Sequence, residues 1–291
     1  MKIGVVGRGP WGNALATLAT AAGGQVRQGG RDSDLTALSA EADLLFVATP
    51  SPVLRDVLSA LRPGPRHRVI LATRGLDPQR GGWLSDVVVE HTAAVRVGVV
   101  AGPALPADLQ AGLPCALVVA SAFDEVCRAV QEALLSQRLR IYQTNDLHGI
   151  QLAGAMVPVL AAAVGLADGA GLGAAARGLV VARGLAEARR LARGLGADPS
   201  TLQGLAGLGD LASALSRDDH PDILLGRALA RGELAPDAET CRTAAAAIAQ
   251  AERLGVELPL TAAVHGVATG QVGVSAAVQD LMTRAPRRTE D

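Results

Sequence analysis

At the amino end a short apolar run, Ile3-Gly4-Val5-Val6, passes without a break into Gly7-Arg8-Gly9-Pro10-Trp11-Gly12 and then into the helix-forming Asn13-Ala14-Leu15-Ala16. Few folds accept that succession. Gly7 permits a tight turn off a strand, Gly9 leaves the backbone bare, and Gly12 lets the following helix pack closely on the strand it left. The helix then points its first N–H groups at whatever lies over the turn, an arrangement suited to a pyrophosphate. Because the glycines follow a strand and open a helix, they read as a dinucleotide cradle rather than a simple turn.

Further apolar runs at 3–6, 44–49, 69–73, 97–101 and 116–120 alternate with helical patterns, which predicts a parallel sheet covered on both faces. Beyond Leu147 the strand signals fade into long Ala/Leu-rich stretches such as 178–195 and 237–254. The polar break Gln143-Thr144-Asn145-Asp146 separates the two regimes. The expected architecture is therefore α/β: a Rossmann-type, doubly wound, mainly parallel sheet domain over 1–145, then an all-α substrate domain over 146–291. The arginine-rich stretch from Arg284 reads as a disordered end. Residues 149–167 lack any charge and are long enough to cross a bilayer. Their Ala/Gly content, the internal Pro158 and the missing basic or aromatic anchors indicate a buried helix instead.

Composition narrows the function. With 291 residues, 49% of them apolar, and a net charge of −1, the chain has ample core and no global positive field to recruit nucleic acid or a membrane surface. Small-molecule chemistry is the expectation. Cys115, Cys127 and Cys241 have neither metal-ligand spacing nor a preceding secretory signal, so a cytoplasmic, thiol-state protein without a metal site is expected. At the end of the second strand, Gln25-Val26-Arg27-Gln28-Gly29-Gly30-Arg31-Asp32, no carboxylate stands at the strand end to hold ribose hydroxyls. Arg31 could accept a 2′-phosphate, which favours NADP over NAD as cofactor; a merely solvated Arg31 is the alternative.

The chain resembles NAD(P)-dependent glycerol-3-phosphate dehydrogenases. The resemblance rests on residues 7–16, Ala48-Thr49-Pro50-Ser51, Ala72-Thr73-Arg74-Gly75-Leu76-Asp77, Gly102-Pro103, Ala111-Gly112-Leu113-Pro114, Arg183-Gly184-Leu185-Ala186-Glu187, Gly204-Leu205-Ala206-Gly207-Leu208-Gly209-Asp210-Leu211 and Gly255-Val256-Glu257-Leu258-Pro259, in that order. It implies reduction of dihydroxyacetone phosphate in a cleft between the domains, a small phosphorylated substrate, a role in phospholipid supply, and is compatible with a homodimer. By resemblance, Gly7, Gly9, Pro10, Trp11, Gly12, Arg31, Arg217 and Glu239 are cofactor positions. Arg74, Gly102, Asp210, Ser216 and Arg217 are substrate positions, with Asp210 and Arg74 the catalytic candidates. The family's Ser-Arg-Asn run falls either on Ser216-Arg217-Asp218 or, without a gap, on His220-Pro221-Asp222. Asp210 as a helix cap and Arg217 as a surface ion pair are the plainer readings.

Departures from the resemblance concentrate on charge. The family has a lysine where this chain has Arg74, and Lys-Asn where it has Val157-Pro158; Lys2 is the only lysine in the chain. An arginine polarises a carbonyl but is a poor acid. Losing a cation or acid at the carbonyl oxygen typically costs a factor of about 10² to 10⁴. Proline inside the helix removes a backbone hydrogen bond, so a kink is expected at Pro158. Ala175 and Ala214 replace other polar positions, leaving His148, His220, Asp210 or water as proton sources. Three readings stay open: a dehydrogenase with weakened acid catalysis, an NADP reductase of another carbonyl compound, and a non-catalytic nucleotide-binding relative.

Overall fold

A computed structural model describes residues 1–283; the stretch from Arg284 lies outside the described residues. The described chain forms two compact units, one of residues 1–77 and 83–151, the other of residues 78–82 and 152–283.

The first unit holds seven strands: β1 (Lys2–Val6), β2 (Gln25–Gly29), β3 (Leu44–Val47), β4 (Arg68–Leu71), β5 (Arg96–Ala101), β6 (Cys115–Ser121) and β7 (Leu139–Thr144). They form one sheet in the order β2-β1-β3-β4-β5-β6-β7. Every neighbouring pair is parallel except β5 with β6. β3 is buried at every position, as a strand covered on both faces must be, and its sequence is accordingly an unbroken apolar run. β7 was not anticipated. As an edge strand it buries little of Leu-Arg-Ile-Tyr-Gln-Thr, so its apolar signal is thin. Helix Pro10–Ala21 buries Ala14, Leu15 and Ala19 against a core that includes Ile3, Phe46 and Ile70. Full burial of a leucine such as Leu15 contributes about 2 kcal/mol.

The second unit is helical. Helix Leu147–Gly169 continues through Pro158, and its most apolar window is 94% buried within the protein, as expected of a core helix. Its small residues serve packing. A Cβ on Gly165 would strike the Ile223 carbonyl, and one on Gly226 would strike the Ala162 carbonyl, so this helix and helix Pro221–Ala230 touch backbone to backbone. Helix Gly173–Gly194 carries the Arg183-Gly184-Leu185-Ala186-Glu187 motif, and the structure gives it a packing role. A Cβ on Gly184 would collide with Leu160, while Glu187, 2% exposed, accepts hydrogen bonds from the Leu260 and Thr261 N–H groups at 2.7 and 3.1 Å. Those are the opening N–H groups of helix Pro259–Ala268, so Glu187 acts as its cap from a distance in sequence.

Candidate functional site

Because β1, β2, β3, β4 and β5 run parallel, the loops after them all emerge on one edge of the sheet. The chain moves from β1 outward to β2 and returns to β3 on the other side of β1, so the switch point lies between β1 and β3, where open sheets of this kind bind ligands. The two loops there are the glycine turn and Ala48-Thr49. They are pressed together: the Ala48 N–H donates to the Val6 carbonyl at 2.7 Å, and a Cβ on Gly7, whose φ is +124°, would collide with the Ala48 carbonyl. Gly12 is packed as tightly on Gly7. Gly9 differs from both, since a Cβ there would meet nothing within 4 Å. Protein packing therefore explains two of the glycines and leaves open space over the third.

That space suits a dinucleotide. No side chain caps helix Pro10–Ala21, no acidic residue sits in its first turn, and its N-cap is Gly9 itself. In the loop after β3, the Thr49 Oγ1 is buried without a hydrogen-bond partner. Pro10 occupies the first helical position, where its lack of an N–H costs nothing, and Trp11 lies partly buried against the core.

Two residues near this loop escaped the sequence reading. The Gln28 carboxamide donates to the Gly7 carbonyl at 2.8 Å and to Asn13 Oδ1 at 2.9 Å, tying the end of β2 to the glycine turn. Arg8 lies over the end of β2: a Cβ on Gly30 would sit 3.2 Å from Arg8 Cδ. Arg8 and the exposed Arg31 thus both belong to the surroundings of the end of β2. Arg8 sits between two motif glycines, and nothing in the sequence says which way its side chain folds.

Next along the same edge is the loop after β4. Thr73 Oγ1 donates to the Val47 and Thr49 carbonyls at 3.1 and 2.8 Å. Asp77, 2% exposed, takes both Nη groups of Arg55 at 2.8 and 2.7 Å. This fork holds the loop by a largely buried, bidentate pair, and Arg74 stands half-buried inside it next to Gly75 at φ +104°. Gly102, at φ +129°, ends β5 on the same edge. The structure thus gathers Gly7, Gly9, Gly12, Arg31, Arg74 and Gly102 along one rim.

The remaining candidates belong to the helical unit. Asp210, 3% exposed, heads helix Asp210–Leu215 after a single π-helical turn over Leu205–Gly209. Ser216 turns its hydroxyl back to the Ser213 carbonyl at 2.7 Å, and Arg217 forks onto Asp219 with two 3.0 Å bonds. Arg217 also lines a cavity of about 400 Å³ with Arg177, Arg227, Asp168 and Asp218. His220 and Asp222 open helix Pro221–Ala230, with the Asp222 N–H donating to His220 Nδ1 at 3.3 Å. Thr240 Oγ1 donates to Asp222 Oδ1 at 2.6 Å, joining this helix end to the start of helix Glu239–Leu254. Glu239 pairs with Arg242 at 3.2 Å. Of the two histidines weighed as proton sources, His148 is stacked on Trp83 at 4.6 Å and 7°.

Val157 is 2% exposed and lies in an apolar cluster with Leu160, Leu211, Ala214, Ile223 and Leu260. It has no polar group to offer, and its surroundings are those of a core residue.

Comparisons with known proteins agree along the whole chain. Residues 30–127 match the family described as NAD-dependent glycerol-3-phosphate dehydrogenase N-terminus, and residues 146–279 match its C-terminus. A protein of Alkalilimnicola ehrlichii named glycerol-3-phosphate dehydrogenase [NAD(P)+] is 39% identical over 99% of this chain and 98% of its own length. One of the same name from Halorhodospira halophila is 37% identical with the same coverage. The crystal structure of glycerol-3-phosphate dehydrogenase from Coxiella burnetii superposes with a TM-score of 0.88 at 28% identity, over 97% of this chain and 99% of that one. A sheet whose switch point is built on Gly7 and Ala48, a helical second unit and matches spanning both halves lead to one assignment: the chain belongs to the NAD-dependent glycerol-3-phosphate dehydrogenase family.

Proposed function

We propose that the chain binds NADP(H) in preference to NAD(H) on the carboxyl edge of its sheet and reduces dihydroxyacetone phosphate to glycerol 3-phosphate, with weakened activation of the carbonyl. The cradle of Gly7, Gly9, Pro10, Trp11 and Gly12 would hold the pyrophosphate, and Arg31 with Arg8 the adenosine 2′-phosphate. Glu239 and Arg217 would complete the cofactor contacts. When bound, the reduced nicotinamide supplies a hydride to a ketone carbon. The chain's own groups must then orient the ketone and stabilise the negative charge that develops on its oxygen. Arg74 would polarise that oxygen or hold the phosphate, and the Gly102 backbone, on the same sheet edge, would meet the substrate. Asp210 would orient a substrate hydroxyl, and Ser216 and Arg217 would meet the phosphate. The proton that the oxygen acquires comes from water or from His220, since a guanidinium does not release one.

The single observation that carries the weakening is Val157, buried in an apolar cluster at the position where the family's lysine is expected. The same observation supports a second reading, a nucleotide-binding relative without turnover. A stopped-flow assay of dihydroxyacetone phosphate with NADPH and NADH, on the natural chain and on the Val157→Lys, Pro158→Asn double variant, separates them. A slow natural rate that rises about 10²-fold or more in the variant is the expected result. An unmodified rate near ~10 s⁻¹ would reject the weakening, and NADPH binding with no turnover in the natural chain would select the second reading.

A further inference from the structure

Residues 78–82 interrupt the sheet unit in sequence yet fold with the helical one. They lie along helix Glu239–Leu254. Gln250 Nε2 donates to the Arg80 carbonyl at 3.0 Å, and Arg253 Nη1 approaches the same oxygen at 3.4 Å. Gly81 takes φ +70°, which favours glycine, and a Cβ there would stand 2.9 Å from Gln250 Nε2 and 3.2 Å from the Ala246 carbonyl, so the segment and the helix are in close contact. On the helix, Arg242, Ala246, Ala249 and Arg253 recur at steps of four, three and four residues, which places them in one stripe. Two alanines form a floor and an arginine stands at each end, while the segment carrying Arg80 lines one side. The result is a trough of about 250 Å³ whose lining includes Arg80, Arg242 and Arg253 and no carboxylate.

In a chain of net charge −1, such a lining is a local concentration of positive charge. Arg242 does hold Glu239, but both partners are 34% exposed, and a pair of that kind contributes at most about 1 kcal/mol. Guanidinium groups fork phosphate oxygens in two-point contacts. Eleven residues of helix separate the two terminal arginines by about 16 Å at the Cα atoms, so an anion with several linked phosphoryl groups engages both ends with less extension of either side chain than a single phosphate requires. We propose that this trough is a binding site for a soluble polyphosphate anion, one with at least two linked phosphoryl groups, separate from the glycine cradle. An occupant fastens residues 78–82 to the helix, and that segment begins directly after Asp77, whose fork with Arg55 holds the Arg74 loop.

The probe is inorganic pyrophosphate, titrated calorimetrically into the full chain at low salt, with and without saturating NADPH. Binding should be saturable, should persist under NADPH, and should be about tenfold tighter than that of orthophosphate. The Arg80→Gln, Arg253→Gln double variant should bind about tenfold or more weakly with its melting temperature kept, both side chains being exposed. Ala249→Glu, which puts a carboxylate on the floor and removes no arginine, should abolish binding. Displacement by NADPH, equal affinity in the variants, equal affinity for orthophosphate, or no saturation by roughly 10 mM would each overturn the proposal. If NADPH itself does not bind, the cofactor reading fails while the variants still decide the trough.

Discussion

The sheet edge and the interior of the helical unit use the same device, glycine at close backbone contact, and yet their chemistry stands differently. At the edge, the binding features are the backbone itself: the turn at Gly7, the bare stretch at Gly9, the uncapped helix start. Substitution elsewhere leaves such a site in place, because the packing that makes the turn possible also makes the cradle. In the helical unit the proposed site depends on side chains. There Val157 packs in the apolar cluster around Leu211 and Ile223 and offers burial but no polar group. Sites made of backbone are held by the fold, and sites made of side chains are held only by function.

The widest consequence concerns Gly12. In a Gly12→Val variant the new side chain meets the Gly7 carbonyl, and a loss of about 3 kcal/mol or more in stability, with NADPH binding abolished, should appear in thermal melts and calorimetry. Unchanged NADPH affinity would move the cofactor away from this edge.

In the helical unit, Glu187→Ala should cost about 3 kcal/mol in denaturant unfolding, since it strands the Leu260 and Thr261 N–H groups, with NADPH affinity unaltered. Burial, the largest influence, raises the Glu187 pKa, partly opposed by those donors. The folded state then holds a proton that the unfolded state has released, so this carboxyl's contribution declines as pH rises from the ordinary carboxylate range through the raised value. The alanine variant should lack that slope. A slope that survives belongs to another group.

Arg8→Ala and Arg31→Ala sharpen the comparison at the adenosine end. Each should weaken NADPH by about tenfold and leave NADH nearly unchanged. Equal losses for both cofactors would assign these arginines to the pyrophosphate instead.

A smaller effect tests how closed the helical unit is. Cys241 is 1% exposed, and burial pushes its thiol up to about 11. Only about a thousandth of it is thiolate at pH 8, so iodoacetamide should label it slowly in the folded chain and readily in urea. Rapid labelling of the folded protein would show that this core opens.

How much was legible in advance follows from what each feature is made of. The strand, the glycine spacing and the apolar runs of the central strands announce themselves, because burial on both faces demands an unbroken apolar sequence. β7 did not, because an edge strand needs no such run. The Arg183-Gly184-Leu185-Ala186-Glu187 motif was visible as a motif, but its partners Leu160, Leu260 and Thr261 lie far along the chain. Gln28 and Arg8 were in plain view and unassigned, since a polar side chain at a strand end has many directions open to it. Asp77 read as one letter of a motif; its fork with Arg55 emerged only when the helix after β3 was set beside the loop after β4.

From its residues alone, the chain determined a parallel sheet opening on a glycine turn, a helical second half, and the family to which both belong. These rest on local sterics and on periodic burial, which act over a few residues and leave a pattern in the sequence. Tertiary structure alone decided which side chains meet: that Thr73 joins the two rim loops, that Glu187 caps a distant helix, that Arg80 comes to rest beside Arg253. Such encounters depend on how whole elements pack, and packing is a property of surfaces brought together from distant parts of the chain.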